Sequence, residues 1–375
     1  FNDTATTEIY TLSLHDALPI WRSEPRNGLN MIRDFATRFP QEIGGIMNRR
    51  DFLKGALAFA ALSPLAGVLT RAAGIGKASP TAVPEVYFTR ELSPQSVIRM
   101  FRALGLALPG RVAVKVHSGE KGNQNFLRPE FLRPMVEFVN GTVVECNTAY
   151  EGARNSTAEH RQLLAEHGWT KWFNVDLMDA AGPDLVLPVP GGKILKHNYV
   201  GKNMANYNSM LVLSHFKGHP VAGYGGALKQ LSIGCASTRG KALIHSGGVS
   251  GDQVECWNYM ASPEVFGDAM AEAAGTIVEY FRGKIAFINM MCNLSVDCDC
   301  CAVAEDPCMK DIGILASTDP VALDQACMDL IRRSNDPGRE HFLERVTSRK
   351  GTRVIDSAAR LGVGRKQYEL VRVDS

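Results

Sequence analysis

The 375-residue chain has little of what several common function classes need. Aromatic residues make up 8% and the formal net charge is only +2, with no basic stripe interleaved with aromatics. That argues against a nucleic-acid groove and against general attraction to anionic lipid. The glycine spacing of a P-loop is absent, as is that of a dinucleotide fold and the G-x-S-x-G of a nucleophile elbow. Internal repeats and long low-complexity tracts are also missing. Hydrophobic content of 45% and charge of 21% are those of an ordinary globular protein.

Against this plain background the cysteines stand out. Five of the nine, Cys292, Cys298, Cys300, Cys301 and Cys308, fall within seventeen positions. Cysteines in a tight turn can aim several thiolates at one point, which suits zinc or an iron–sulfur cluster, whereas a disulfide between residues this close is usually strained. Disulfides of Cys308 with Cys292 or Cys298 are the alternative.

The N-terminal part reads differently. Residues 2–20 look like a translated sequencing-library adapter, and residues up to 46 read as artefact or upstream read-through. From Met47, paired Arg49 and Arg50 precede Phe52-Leu53-Lys54 and an uncharged apolar run from Gly55 to Leu69. The run is short for a ~30 Å hydrocarbon core. It resembles a twin-arginine export signal, with an ordinary buried helix as the alternative. Signal and linker are expected over 47–80, with periplasmic or otherwise exported localisation and membrane contact only through the signal.

Beyond the linker, short β-branched runs alternate with helical patterns. Strands are expected at Val86–Phe88, Arg111–Val116, Gly141–Cys146, Asp184–Pro188, Met210–Ser214, Lys284–Asn289 and Ile312–Leu315. Helices are expected at Pro94–Leu104, Pro129–Val139, Thr157–His167, Pro263–Phe281 and Pro320–Arg332. The class is α/β, a mostly parallel sheet with crossover helices. Two lobes with a cleft between them are expected: 82–283 with a glycine-rich loop and 284–375 with the cysteine loop.

The stretch Ser214–His245 is rich in chemistry, with His215, Lys217, His219, Lys229, Lys241 and His245 around Gly223, Gly225 and Gly226. A glycine-rich turn after an apolar strand lets backbone N–H groups approach an anion closely, and a helix beginning at Ala227 would favour negative charge at its start. Some residues have plain readings. Asp319-Pro320 reads as a helix N-cap, and Cys146 and Cys327 as buried free thiols. His160, His167 and His341 read as solvent-facing, His117 as a hydrogen-bonded strand end or a ligand. Asp297 and Asp299 either tune a cluster or solvate the loop.

SHFKGHPVAGYGGALKQLSIGCAS, NLSVDCDCC and DIGILASTDPVALDQA together resemble the domain-of-unknown-function 362 family, described as iron–sulfur centre proteins, over about Val86 to Arg332. The resemblance implies metal ligation by Cys298 and Cys300, with Cys301 and Cys308 added by proximity, and an iron–sulfur cluster, 4Fe–4S in the expected form. A more distant likeness is to nickel-dependent lactate racemases, in which a histidine, a glycine pair, a cofactor-bearing lysine and a nickel-binding histidine follow in order. Here His219 precedes Lys229 by ten residues and Lys229 precedes His245 by sixteen. That likeness implies His219 as acid or base, Lys229 as cofactor anchor and His245 as metal ligand, with Glu145-Cys146-Asn147-Thr148 where a second catalytic histidine would stand. The expectation is an exported metal protein, iron–sulfur and redox-active, with an electron partner. The alternatives are a nickel or zinc enzyme acting on a small organic acid, and a module capturing a small anionic ligand.

Overall fold

The computed structural model describes residues 83–374; the adapter-like segment, the expected read-through and the expected export signal and linker over 47–80 lie outside the described residues. Strands are β1 (Glu85–Thr89), β2 (Val112–Lys115), β3 (Gly141–Glu145), β4 (Asp176–Leu177), β5 (Leu185–Pro188), β6 (His197–Val200), β7 (Ser209–His215), β8 (Lys217–His219), β9 (Gly223–Gly225), β10 (Ile285–Met291), β11 (Gly313–Ser317) and β12 (Glu369–Arg372). Helices are α1 (Pro94–Ala103), α2 (Pro129–Phe138), α3 (Thr157–Glu166), α4 (Trp169–Trp172), α5 (Ala227–Lys229), α6 (Thr238–His245), α7 (Pro263–Tyr280), α8 (Pro320–Arg333), α9 (Arg339–Ser348) and α10 (Arg353–Arg360).

Eight strands form one sheet in the order β12-β1-β11-β10-β7-β2-β3-β4. All neighbours pair in parallel except β11, which runs against both β1 and β10. The strands alternate side chains between two cores, as a sheet covered on both faces requires. Val112, Val114, Leu211 and Leu213 face the layer holding α1 and α2, while Ala113, Met210 and Val212 face the layer holding α7, α8 and α10. Several helix starts are set locally, those of α1, α3, α6, α7 and α8 by a side-chain cap. Asp319 caps α8 by accepting from the Val321 and Ala322 amides, both at 2.9 Å, and Pro320 occupies the first turn.

Along α7 and its C-cap, the helical spacing of Val265, Met270, Ala273, Ile277 and Phe281 predicts a core stripe; the last four are buried, and Phe266 takes the place of half-buried Val265. The sheet runs through the position where two lobes were expected to meet: β10, after 283, pairs with β7, before it, and the described residues belong to one compact unit. Among the described residues no helix is long and apolar enough to cross a membrane.

Candidate metal centre

Because β2, β3, β7 and β10 are mutually parallel along the sheet, their C-terminal ends share one edge, where open α/β sheets hold ligands. From the end of β10 the chain makes a long excursion and returns antiparallel as β11. That excursion is pinned to β8, where the Gly218 amide donates to the Ser295 carbonyl at 2.8 Å. A Cβ at Gly218 would lie 2.2 Å from the Val296 carbonyl oxygen, so only glycine permits this approach.

The cysteine-rich turn within the excursion is clamped through its backbone. Cys301 N–H donates to the Cys298 carbonyl at 2.9 Å, closing the turn. Asn123 Nδ2 donates to the carbonyls of Cys298 (3.2 Å) and Cys301 (2.9 Å). Glu120 N–H donates to the Asp299 carbonyl at 2.7 Å, and the Tyr150 hydroxyl to that of Cys300 at 3.4 Å. Every carbonyl of residues 298–301 is thus held from the loops after β2 and β3, which fixes where the side chains point.

Those side chains alternate. Cys298 Sγ and Cys300 Sγ converge with one ring nitrogen of His219, all within 4.8 Å of one another, a group able to hold a metal ion. Between them Asp299, fully buried, takes the other direction and meets His215 Nδ1 at 2.8 Å and Lys217 Nζ at 2.8 Å. The lysine contact is an ion pair without hydrogen-bond alignment, since Asp299 Oδ2 has no hydrogen-bond partner. His215 Nε2 lies 2.6 Å from the Cys292 carbonyl, so both of its ring nitrogens face acceptors and only a ring protonated on each satisfies them. Burial would raise the Asp299 carboxyl, but His215 and Lys217 hold it well below the usual carboxylate range.

His219 is held in one tautomer. Its Nδ1 accepts from the Val221 amide at 3.0 Å and the Ala222 amide at 2.9 Å, so the neutral ring carries its proton on Nε2, 3.5 Å from Cys300 Sγ. Burial, then the charge of Lys229, push this histidine down to about 4. Burial pushes the Cys298 thiol up to about 11. At Cys300 the bond with Cys298 favours the thiolate, but Cys301 and burial outweigh it, again up to about 11. A metal would therefore displace thiol protons on binding.

Beside this group lies a cavity of about 10 Å³, space for about one water, lined by His117, Ser214, His215, Lys217, Gly225, Gly226, Lys229 and Gln230. Burial would lower Lys217, but Asp299 and the neighbouring thiols raise it. Burial keeps His117 well below the usual histidine range, with Arg154 adding to the effect. The Lys229 ammonium has no hydrogen-bond or ion-pair partner among the described residues, while its carbonyl accepts from Ser232 Oγ at 3.3 Å.

The structure brings together part of the set named from sequence. His219, Cys298 and Cys300 meet; Gly225, Gly226 and Lys229 line the adjoining cavity. Cys301 sits in the same turn but outside the convergent group, and Cys308 stands apart, its thiol donating to the Leu294 carbonyl at 3.3 Å. Gly223 makes the β8–β9 turn at φ +79° and does not line the cavity. His245 also lies outside both groups, packed against Trp257 and Phe266. No cysteine of the nine is disulfide-bonded.

Other residues were not singled out in the sequence. Asp324 accepts from the Ala227 amide (2.8 Å), the Leu228 amide (3.0 Å), Tyr224 (3.0 Å) and Asn289 (2.8 Å). The negative charge expected at the start of this helix is thus the protein's own carboxylate, and α5 passes at once into a π-helical turn over Gln230–Gly234. The only sequence signal for Asp324 is an acidic residue on the apolar face of α8. His160, expected in solvent, is fully buried between Ser118 and Asn147, and half-buried His167 bonds the Ser118 carbonyl; His341 is exposed as expected. Beneath the edge, Lys115 pairs with Glu145 at 2.6 Å and Arg154 with Glu120 at 3.1 Å, all four buried.

Comparison with known proteins gives a family but no curated relative: no curated protein matches. Among solved structures, the lactate racemase apoprotein from Thermoanaerobacterium thermosaccharolyticum aligns with a TM-score of 0.38 at 11% identity, covering 66% of this chain and 56% of the racemase. A structural-genomics protein from Thermotoga maritima aligns with a TM-score of 0.37 at 11% identity, covering 73% of this chain and 60% of its own. The chain therefore spans little more than half the length of either. The family model described as domain of unknown function (DUF362) matches residues 112–329, from β2 into α8, and spans both the cysteine turn and the glycine-rich stretch: the chain belongs to this family.

Proposed function

We propose that this is a thiolate-metal protein with a redox role, whose metal or iron–sulfur cluster is held first by Cys298 and Cys300. The observation that carries this reading is the convergence of those two sulfurs with His219 on a turn whose every carbonyl is clamped. Two soft donors in one turn suit iron, zinc or nickel, and iron–sulfur sites in particular. Cys301, in the same turn, is the next thiolate in reach, and Cys308 is not required.

The role of His219 follows from its tautomer. A histidine that ligates through Nε2 normally donates its other N–H to an acceptor. His219 instead has two amides pointing at Nδ1, so its Nε2–H is set to donate to the Cys300 sulfur. Hydrogen bonds to sulfur and nearby positive charge both raise the potential of a thiolate-bound centre, and Lys217 and Lys229 supply that charge. The twin-arginine-like leader supports export of the loaded, folded protein, since an occupied thiol set would survive an oxidising compartment.

The test is anaerobic purification with elemental analysis, acid-labile sulfide and a visible spectrum. Iron with sulfide and absorption near ~400 nm, lost in Cys298→Ser and Cys300→Ser but kept in Cys308→Ser, is the expected outcome. Full-length folded protein without metal, or metal that survives both serine variants and disappears in His245→Ala, would overturn the assignment. Stoichiometric zinc or nickel without sulfide would keep the thiolate site and remove the redox role.

A further inference from the structure

The cavity at the end of β7 has features that metal ligation does not use. Ser214 and Gln230 line it and are 2% and 7% exposed, yet Ser214 Oγ and Gln230 Nε2 have no hydrogen-bond partner. Buried polar atoms are almost always paired, and each left alone costs about 1–3 kcal/mol. Two such atoms lining one small polar space point to a guest that supplies acceptors.

The charges around the space have one sign. His215, Lys217 and Lys229 face it, and the single carboxylate paired with them among the described residues, Asp299, is engaged by His215 and Lys217. Lys229 is left without an anion, and its flexible end and that of Lys217 both reach Gly225, where a Cβ would lie 3.6 Å from Lys229 Cδ and 3.6 Å from Lys217 Cε. The amide N–H and the hydroxyl are buried donors with nothing to donate to, and the ammonium of half-buried Lys229 stands beside them.

We propose that this cavity binds a carboxylate head group, with Lys229, Ser214 Oγ and Gln230 Nε2 as its donors. A space of about 10 Å³ admits about one oxygen at a time, which suits a planar carboxylate entering end-on and disfavours a tetrahedral phosphate. The three donors come from one continuous stretch: Ser214 stands one residue before the end of β7, the β8–β9 pair follows, and Lys229 and Gln230 sit where α5 passes into the π-helical turn. The cavity adjoins the thiol turn through His215 and Lys217, which line it and hold Asp299 between Cys298 and Cys300. The inference does not depend on the metal, because none of the three donors is a ligand in the proposed centre.

The experiment is titration of the full-length protein, both as purified and after metal removal, with formate, acetate and inorganic phosphate, followed by calorimetry and by the shift in Tm. Formate and acetate should bind with one-to-one stoichiometry in both preparations, and phosphate at least tenfold more weakly. Lys229→Gln should weaken acetate by about 10–100-fold, the range of a charge-assisted hydrogen bond. Ser214→Ala, a small change in a buried site, should weaken it several-fold, and exposed Lys202→Gln should leave it unchanged. Equal binding of formate and acetate marks the head group itself as the ligand, whereas a preference for acetate marks a longer organic acid. Phosphate binding tighter than formate would overturn the carboxylate class. The absence of any saturable anion effect in folded wild-type protein, or an unchanged affinity in folded Lys229→Gln, would overturn the site.

Discussion

His219 and His245 come from the same stretch of chain, are both buried, and are both pushed down to about 4 chiefly by burial, yet their rings are wired in opposite senses. His219 Nδ1 accepts from two backbone amides, leaving the proton on Nε2. His245 Nδ1 lies 2.8 Å from the Lys241 carbonyl, which can only accept, so the proton is on Nδ1 and the Nε2 lone pair has no partner among the described residues. The surroundings differ as well: His219 sits among thiols and buried charges, whereas His245 packs against Phe266 and Trp257 with ring centroids 5.0 and 5.3 Å away. The backbone partner of one nitrogen decides what the other can do, so equal residue type and equal burial do not give equal chemistry. Nitrogen-15 imidazole spectra of the two rings should report opposite tautomers; the same tautomer at both would break the comparison.

The largest expected effect is on the charged side. Asp299→Ala leaves His215 and Lys217 buried without their carboxylate, and breaking such a group costs about 3–5 kcal/mol. Denaturant unfolding should show that loss in full. A cost below about 1 kcal/mol would mean that the buried charges do not hold the turn, and that the carbonyl clamps from Asn123, Glu120 and Tyr150 do so alone.

This contrast marks what could be read from residues alone. Six of the eight sheet strands, β1, β2, β3, β7, β10 and β11, were legible because burial on both faces leaves continuous β-branched runs, and helix starts such as Asp319-Pro320 because their caps are local. Two-residue β4 and edge strand β12 were not, and the expected Asp184–Pro188 strand is β5 of a separate two-stranded sheet. Helix α6 was not, since its Gly240 reads as a breaker; it is there because a Cβ would lie 2.0 Å from the Tyr199 carbonyl. The paired thiols at 298 and 300 were legible as an alternating motif, while the exclusion of Cys308 depends on a bond to Leu294 that no spacing encodes. Likewise Asp299 reads equally as a solvated or a tuning residue until β7 and β8 are seen to bring His215 and Lys217 to it.

The next effect tests the apolar side through pH. The ordinary histidine value is 6.5, and His245 in the folded chain is at about 4, so between these values the unfolded chain binds the proton that the folded chain refuses. Its contribution is therefore complete above pH 6.5, declines as pH falls, and levels off below pH 4, a loss of about 3 kcal/mol. His245→Gln should remove that part of the slope between pH 6.5 and 4 when unfolding is followed in buffers of matched ionic strength. An identical slope in the variant would place the proton uptake elsewhere.

The smallest effect separates stacking from burial at the same ring. Trp257 is only partly covered, 36% exposed, and contributes to His245 through one tilted ring contact. Trp257→Leu keeps an apolar cover and removes the aromatic pairing, which is worth about 0.5–1.5 kcal/mol. The stability loss should fall in that range, well below that of Asp299→Ala. Because a leucine covers less of the imidazole than an indole does, the titration of His245, followed by NMR, should move up from about 4 toward the ordinary value while its Nδ1 proton stays on the Lys241 carbonyl. A tautomer that changed with this substitution would show that the aromatic wall, and not the backbone acceptor, sets the wiring of the ring, and the distinction from His219 would then rest on packing instead of hydrogen bonding.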